Sequence, residues 1–265
     1  MSRGETFRIT LSMAVACALG AGVLGVLYMA TDRYQRAAAI AQERRAIAEL
    51  LGLDARALVT EIREFLAPDR REVIYRVGES GSGRDLVFTL EGVPTTDSAS
   101  VAREKLQPLE RMFVARRAGR LVGFVVESTT RGYKNHIRFM VGIAPDFTIA
   151  GVRVLEHEED PGLGAEVATP EFQGQFIGRS ESGLDVTRDP MPEDWRTALA
   201  ELRRMPPAAW SQRHADRIGR ERMRPVYAVT GATISSRALT EGVREALEHF
   251  RRRWALIAPH LGGAS

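Results

Sequence analysis

The chain has 265 residues, 44% of them hydrophobic, which is enough for a membrane anchor and one or two domains with a buried core. Its formal net charge is only +3, so its 37 basic residues, nearly all arginines, give no basis for predicting a nucleic-acid-binding protein. The single cysteine excludes an intrachain disulfide and an iron–sulfur cluster, and five scattered histidines predict no metal site, so any redox cofactor has to be organic.

Residues 9–30 contain no charged side chain and predict a transmembrane helix, which with the N-terminal tail makes up a first part, residues 1–31. These 22 residues would span about 33 Å as a helix, close to the thickness of a hydrocarbon core. Small residues at a spacing of four favour packing against other membrane helices. The alternatives are a cleaved signal peptide, for which the apolar run is too long, and a lipoprotein-type cleavage at Cys17, for which Ala14 is a poor match. The arginines after the segment would, by the positive-inside rule alone, place the rest of the chain in the cytoplasm.

The second part, residues 32–100, is predicted to be a helical and irregular membrane-proximal region. Residues 33–66 have helical periodicity, and the remainder is broken by Pro, Gly and Ser around two strand-like pieces, VIYRV and DLVFTL. The third part is a domain over residues 101–258, which a short helix over residues 101–111 could open.

Two β-hairpins are predicted in this domain. Residues 111–129 contain two β-rich runs around an Ala-Gly pair at 118–119, and residues 136–157 contain two more that turn at a Pro-Asp pair at 145–146. The four strands are expected to form a meandering antiparallel sheet, because short connections join antiparallel neighbours.

Three helices are predicted after the hairpins: a short one over 170–179, one near 193–204, and a final one from Ser235 to Trp254. The apolar residues of the final helix fall on one stripe. They are Leu239, Val243, Leu247 and Phe250. The sequence therefore predicts an α+β fold, an antiparallel sheet with flanking helices, preceded by a single N-terminal transmembrane helix.

The stretch TGAT, which ends at Thr233, precedes the final helix and contains the first candidate site. Gly231 and Ala232 lack bulky side chains, so a ligand can lie against the backbone. The free N–H groups and the dipole of the following helix favour an anion such as a phosphate near Thr233. The alternative is a glycine turn before a helix that Ser235 or Ser236 caps.

Two further stretches carry candidate ligand-binding residues. HEEDPGLGAE, residues 157–166, has a tight turn with exposed backbone and three successive acids. The acids could serve a metal or acid–base chemistry, although such a run is more often a solvated turn. RGYKNHIR, between the two hairpins, has a glycine that permits a turn and a flat aromatic face at Tyr133.

Taken in this order, the stretches resemble one known family. A Gly-Tyr pair, a strand with Val-Gly-Ile, the run VRVLEHEEDPGLG and the run TGATISS are similar to the FMN-binding domain of the G subunit of the Rnf electron-transport complex. The C subunit of the sodium-translocating NADH:quinone reductase shares this domain. The resemblance covers about residues 111–250 and the N-terminal membrane helix.

The resemblance implies one FMN, attached covalently by its phosphate to Thr233 through a phosphoester that a separate flavin transferase makes from FAD. Thr230, Gly231 and Ala232 would line the phosphate end. The residues that the resemblance places near the flavin ring are Tyr133, Glu159, Pro161, Gly162, Leu163 and Gly164. No residue is expected to be catalytic by itself, because the flavin carries the chemistry.

The implied protein is an electron-carrying subunit, rather than a stand-alone enzyme, of an Rnf-type ferredoxin- and NAD-linked ion-translocating complex in the bacterial inner membrane. Its soluble domain would lie on the periplasmic side, against the simple charge count, and its partners would be other membrane and redox subunits. The alternatives are the equivalent subunit of a sodium-translocating NADH:quinone reductase, a membrane-anchored redox sensor or maturation factor, and a structural subunit whose flavin site is inactive.

The sequence departs from the family pattern in several places. Tyr227 stands where the target motif of the transferase usually has Asp, and Asp160 stands where a Thr usually precedes PGLG. The span between PGLG and TGAT is longer than in the family. Its arginine-rich segment, residues 203–224, is either a solvated surface insertion or a docking element for a partner subunit.

Overall fold

The structure, a computed structural model, describes residues 3–54, 56–68, 70–78, 83–95 and 105–261. The chain divides into two compact units, Met1–Arg45 and Ala46–Ser265. Helix α1, Arg3–Leu51, begins in the first unit and ends in the second.

In the first unit, α1 from Met13 onward is long and apolar enough to cross a membrane, judged by its length and composition. The described side chains between Met13 and Ala30 are exposed, as expected for a helix that faces lipid rather than a protein core. The first unit therefore has the single long apolar helix that the sequence predicts.

The second unit is built on an antiparallel sheet which, within the described ranges, has seven strands in the order β3-β2-β1-β4-β5-β6-β7. The strands are β1 Leu58–Leu66, β2 Glu72–Val77, β3 Arg84–Thr89, β4 Gln107–Arg117, β5 Arg120–Arg131, β6 His136–Ile143 and β7 Ile149–Glu156. Five further helices follow α1 in the described residues. They are α2 Pro170–Gly174, α3 Glu193–Ala200, α4 Pro207–Arg213, α5 Ala215–Glu221 and α6 Thr233–Ile257.

Both predicted hairpins are confirmed, as β4–β5 and β6–β7. Ala118 and Gly119 both have positive φ, 48° and 79°, which gives the two-residue turn the twist of its flanking strands. In the second hairpin, the Asp146 carboxylate accepts hydrogen bonds from the Thr148 N–H and hydroxyl, at 3.1 and 2.7 Å. Local turn chemistry therefore fixed the part of the sheet that the sequence predicted.

The region between α1 and β4 is where the sequence-based prediction was wrong. The helix expected over 33–66 ends at Leu51, and β1 begins at Leu58 and pairs with both β2 and β4. One face of β1 buries Ile62 and also Glu64, so a glutamate occupies a position where a strand pattern calls for an apolar residue. The region thus contributes three strands to the main sheet.

The short helix expected over residues 101–111 is also contradicted where the structure describes it. Gln107 already begins strand β4, and residues 101–104 lie outside the described residues. The pieces VIYRV and DLVFTL, in contrast, are confirmed as β2 and β3.

Helices cover both faces of the sheet. The amphipathic helix α6 packs on one face, and its predicted stripe is fully buried there: Leu239, Val243, Leu247 and Phe250. On the other face, the end of α1 packs against side chains of β4, β5 and β6. These contacts join Ala46, Ile47 and Leu50 to Phe113, Val125 and Met140. The predicted α+β class, a sheet with flanking helices, is confirmed.

The long segment between β7 and α6 folds against the domain. The predicted helix at 170 begins after Thr169, whose side chain accepts from the Phe172 N–H, but it ends at Gly174 rather than 179. The helix predicted near 193–204 is confirmed as α3 with a following 3-10 turn. Helices α4 and α5, which the sequence did not predict, form a second small core with α3. Its members include Ile177, Trp195, Leu199, Trp210, Ile218 and Tyr227.

One buried arginine ties the end of this segment to the domain. Arg179 is 1% exposed and donates to the carbonyl oxygens of Gln175, Gly183, Arg222 and Arg224. Burial lowers the pKa of its guanidinium to about 10, which leaves the group charged at neutral pH. Residues 203–224 are therefore a packed part of the domain, although many of their arginines are exposed.

Candidate functional site

The helix at the candidate site begins earlier than the sequence indicated. Helix α6 starts at Thr233, and its first helical hydrogen bond runs from the Ser236 N–H to the Ala232 carbonyl, at 3.0 Å. The N–H groups of Thr233, Ile234 and Ser235 precede that bond, so they and the helix dipole point towards the space before the helix. Half-buried Thr233 presents its hydroxyl at this position.

The expectation that Ser235 or Ser236 caps the helix is wrong. Both serines lie in the first turn of α6 and are at most 1% exposed. The Ser236 hydroxyl accepts from the Val229 N–H at 3.0 Å and donates to the Ala232 carbonyl at 2.9 Å. The Ser236 hydroxyl thereby fixes the turn before the helix. In the same turn, the Ala232 N–H donates a hydrogen bond to the Val229 carbonyl.

The Ser235 hydroxyl has a different role, because it donates to the carboxylate of Glu159. Glu159 is 5% exposed, and its other oxygen accepts from the Lys134 N–H at 2.9 Å. One buried carboxylate therefore joins the three stretches that the sequence singled out: the turn after β5, the PGLG loop and the start of α6. We call this arrangement the Glu159 joint.

Two glycines make the Glu159 joint possible. A Cβ atom on Gly132 would lie 2.4 Å from Glu159 Oε1, and one on Gly164 would lie 2.4 Å from Glu159 Oε2 and 2.7 Å from Ser235 Oγ. A Cβ atom at either position would force the carboxylate or the neighbouring backbone to shift, so glycine is the residue that lets both backbones approach Glu159 as they do here. The Gly-Tyr and PGLG motifs thus have a packing reason to contain these glycines.

The Glu159 joint stabilises a negative charge chiefly through hydrogen bonds. Burial raises the pKa of the Glu159 carboxyl, but hydrogen bonds from the Ser235 hydroxyl and from the N–H groups of Lys134, Asn135 and Tyr133 lower it further, so the net shift is downward. The carboxylate is therefore ionised at neutral pH and is fully occupied as an acceptor. This arrangement holds structure together rather than exchanging protons.

Three exposed apolar side chains belong to residues that adjoin the Glu159 joint in the sequence. Tyr133, Leu163 and Ile234 are 66%, 48% and 58% exposed, and we call them the apolar rim. Leu163 also lies against the TGAT turn, since a Cβ on Gly231 would come within 3.0 Å of its Cδ2 atom. The rim therefore brings the PGLG loop and the TGAT turn into contact.

Thr233 also lines a groove of about 890 Å³. Its volume is in the range of small-molecule sites. One wall consists of residues between Tyr227 and Thr233. A second wall consists of residues in and beside α2: Glu166, Thr169, Glu171, Phe172 and Gln175. The third wall consists of residues from the long segment before α4: Arg188, Asp189, Pro190, Met191, Arg196, Ala200 and Arg203.

The ten site residues expected from the sequence fall into four positions. Thr230, Gly231 and Thr233 line the groove, and Ala232 is buried beneath them. Glu159 and Gly164 lie in the Glu159 joint. Tyr133 and Leu163 belong to the apolar rim. Pro161 and Gly162 are exposed in the loop.

The acids of the HEEDPGLG loop are occupied by polar neighbours. Asp160 pairs with Lys134 at 2.7 Å, and Glu158 accepts from the Asn135 side chain at 2.6 Å. Within the described residues, no group of three or more His, Cys, Asp or Glu side chains could hold a metal ion.

The groove wall formed by residues 188–203 was not foreseen, and neither was the role of Ser235. No sequence signal marks that wall, because its residues reach Thr233 only through the packing of α3. For Ser235 a weak signal exists, since a buried acid needs a donor and the serine immediately follows the TGAT turn.

Tyr227, which stands at the family's aspartate position, is a core residue here. Its side chain is 7% exposed and belongs to the second small core. Its backbone N–H donates to Gln175 Oε1 at 2.8 Å, and its carbonyl accepts from Gln175 Nε2 at 3.1 Å. Tyr227 thus fixes the chain that leads to the TGAT turn.

Comparisons with known proteins agree with this arrangement. The model of the family described as "FMN-binding domain" matches residues 132–248, a range that includes the Glu159 joint, the groove and Thr233. This part of the chain is thus similar to that family.

Several related proteins have names that specify a complex and a subunit. The G subunit of the ion-translocating oxidoreductase complex of Methanosarcina acetivorans is 25% identical over 92% of this chain and 94% of its own length. The G subunit of the proton-translocating ferredoxin:NAD(+) oxidoreductase complex of Clostridium ljungdahlii is 27% identical over 51% of this chain and 57% of its own length. The Na(+)-translocating counterpart of Acetobacterium woodii is 26% identical over 61% and 67%. The chain is thus related to the G subunits of ion-translocating oxidoreductase complexes.

The residues present fit an FMN. The groove has the volume for a flavin ring, the N–H groups at the start of α6 suit a phosphate, and Gly231 has a positive φ of 80°, a conformation that glycine adopts without strain in the TGAT turn. Thr233 is the hydroxyl-bearing residue that lines the groove and also begins the helix.

Proposed function

We propose that this chain is a membrane-anchored electron-transfer subunit of an Rnf-type ion-translocating complex and carries one FMN as a phosphoester on Thr233. The observation that carries the proposal is the position of Thr233. Its hydroxyl lies at the first residue of α6 and on the wall of the groove, inside the segment that matches the FMN-binding family. Thr230, Gly231 and Ala232 form the turn around the phosphate end.

The chain's own groups suit this attachment. The N–H groups of Thr233, Ile234 and Ser235 and the positive end of the α6 dipole stabilise the negative charge that the phosphate keeps after it is esterified to the threonine. Bound FMN supplies reversible electron transfer, and the protein supplies position and electrostatics. The Glu159 joint keeps the site in place, because it connects α6 to the strand and loop beside it.

The partners follow from the relatives. The named relatives are subunits of multi-subunit complexes, two of them ferredoxin:NAD(+) oxidoreductases, so this chain would exchange electrons with other redox subunits and pack its apolar helix among membrane subunits. These names favour the G subunit of an Rnf-type complex over its quinone-reductase counterpart. A flavin transferase would attach the FMN. A covalent bond prevents loss of the cofactor, which matters most on the periplasmic side, because no pool of free FMN is present there to replace it. We therefore place the domain on the periplasmic side.

Fluorescence of the protein band in a gel after SDS denaturation tests the attachment. We expect the full chain, expressed with a flavin transferase, to fluoresce, and the Thr233→Ala variant to be dark because its phosphate acceptor is missing. Thr233→Ser is the matched control, since it keeps a hydroxyl and should fluoresce. A dark wild-type band contradicts covalent FMN, and a fluorescent Thr233→Ala band places the attachment on another residue.

A further inference from the structure

An arginine stands one helical turn after the proposed attachment residue. Thr233 and Arg237 are four residues apart in helix α6, a spacing at which two side chains are neighbours on the same face of a helix. Side chains in a helix lean towards its N-terminus, so an arginine at position 237 is placed to extend towards Thr233. Arg237 is exposed, so its guanidinium can contact a group on Thr233 without disturbing the core.

The acids nearest to Arg237 do not engage it. Arg237 lines a pocket of about 470 Å³ together with two acids, Asp185 and Glu241, and a second arginine, Arg244. Glu241 pairs with Arg244 and raises the pKa of its guanidinium, and the charge of Asp185 adds to this effect. Within the described ranges of the chain, the Arg237 side chain has no ion pair or hydrogen bond.

The charges around the start of α6 give Arg237 no other partner. The Glu159 carboxylate is occupied by the Ser235 hydroxyl and by backbone N–H groups, and Asp160 pairs with Lys134. The groove beside Thr233 contains three arginines and three acids, so its formal charges cancel. They are Arg188, Arg196, Arg203, Glu166, Glu171 and Asp189.

The position of Arg237 is unfavourable unless an anion is bound. A helix N-terminus favours acids and disfavours cations, yet the first turn of α6 contains no acidic residue and Arg237 follows directly in the second turn. An anion held on Thr233 would be attracted both by the helix N-terminus and by the guanidinium. The arrangement therefore matches a phosphate better than an empty site.

We propose that Arg237 is a positioning residue that binds the FMN phosphate on Thr233 as its counter-charge. This inference rests on the proposed attachment. Once esterified to FMN and to threonine, the phosphate keeps one negative charge, shared by two oxygens. The N–H groups at the start of α6 bind it from the end of the helix, and the planar guanidinium of Arg237 binds it from the exposed helix face.

The test compares one substitution in two forms of the full chain in detergent. One form is expressed in a host that lacks a flavin transferase, and the other carries attached FMN. We expect Arg237→Gln to lower the melting temperature of the FMN form by about 2–4 °C. In the form without FMN, the same substitution should have no effect or raise the melting temperature slightly, because it removes a cation from near a helix N-terminus.

Two further variants control for charge and for structure. Arg252→Gln removes an exposed arginine near the other end of α6 and should change both melting temperatures equally. Arg237→Lys keeps the charge but not the planar fork, so it should recover part of what Arg237→Gln loses in the FMN form. If Arg237→Gln takes up no FMN, Arg237→Lys provides the same comparison.

The outcomes separate this inference from the proposed function. If the wild-type band fluoresces but Arg237→Gln shifts both forms by the same amount, Arg237 does not bind the phosphate, and the attachment still stands. A loss in the FMN form that does not shrink at high ionic strength also overturns the inference, because salt screens an exposed charge pair. A dark wild-type band removes the proposed function, and with it the phosphate that Arg237 would bind.

Discussion

The two ends of helix α6 each hold a buried glutamate, in opposite ways. At the N-terminal end, Glu159 accepts only from a hydroxyl and backbone N–H groups. Towards the C-terminal end, Glu64 is 4% exposed and pairs with Arg253, itself 2% exposed, at 2.6 Å. The second guanidinium nitrogen of Arg253 binds Glu110, also at 2.6 Å.

The helix dipole explains the difference. A negative charge is favoured near a helix N-terminus and a cation near the C-terminus, so Glu159 needs no cation and Arg253 is well placed in the last third of α6. The N-terminal end therefore keeps its first N–H groups available for an anion. The C-terminal end uses its charges to fix α6 to strands β1 and β4. One helix thus has a binding end and a structural end.

The largest effect is expected from breaking the structural end. Arg253→Leu leaves the buried Glu64 without its guanidinium and with only the His249 ring nitrogen, 3.4 Å from Glu64 Oε2, as a partner. We expect a loss of about 3–5 kcal/mol in the free energy of unfolding. The measurement is denaturant unfolding of the full chain in detergent, followed by tryptophan fluorescence. The amount of FMN attached per folded molecule should not change.

The control for this prediction is the double variant with Glu64→Leu. Replacing a buried pair by apolar residues is often near neutral, so the double variant should recover most of the stability lost in Arg253→Leu. No recovery would show that Arg253 stabilises α6 through Glu110 or through packing rather than through Glu64.

A smaller effect is expected from the binding end. Ser235→Ala removes a donor to the ionised Glu159, and we expect a loss of about 1.5–3 kcal/mol at neutral pH. The folded-state pKa of Glu159 lies below its ordinary value of 4.5, so this stabilisation is present above pH 4.5 and is lost as the pH falls through the folded-state pKa. The deficit of Ser235→Ala should shrink accordingly in acid.

Urea unfolding of the full chain at neutral and at acid pH measures this dependence. Ser182→Ala, at an exposed serine, is the control and should change neither value. A deficit for Ser235→Ala that is the same at both pH values would mean that the hydroxyl acts by packing and not through the Glu159 carboxylate.

The smallest effect is expected at Gly164, where the neighbours can move slightly. A Cβ there would meet Glu159 Oε2 at 2.4 Å, and we expect Gly164→Ala to cost about 1–3 kcal/mol and to lower FMN attachment. Gly219→Ala is the control: nothing lies within 4 Å of its Cβ position in α5, so it should be neutral or slightly stabilising. Equal melting temperatures for the two variants would show that the Glu159 joint tolerates a Cβ atom.

Local signals explain which elements could be predicted. The hairpins at 118–119 and 145–146 and the apolar stripe of α6 could be predicted because residues close together in the sequence determine them. Turn residues mark the hairpins, and helical periodicity marks the stripe. Strand β1 could not be recognised, because Glu64 interrupts its buried face. The residue that satisfies this glutamate, Arg253, lies 189 positions away, and no local pattern reveals such a partner.

The sequence by itself determined the long apolar N-terminal helix, the meander of β4 to β7, the final helix and the similarity to the FMN-binding domain family. The order of its motifs also singled out Thr233. Only the tertiary structure decided that Glu159 is a buried, hydrogen-bonded joint, that Ser235 is its donor, and that residues 188–203 form a wall of the groove that Thr233 lines. The physical reason is that these roles depend on which groups burial brings together, and burial joins residues that are far apart in the chain.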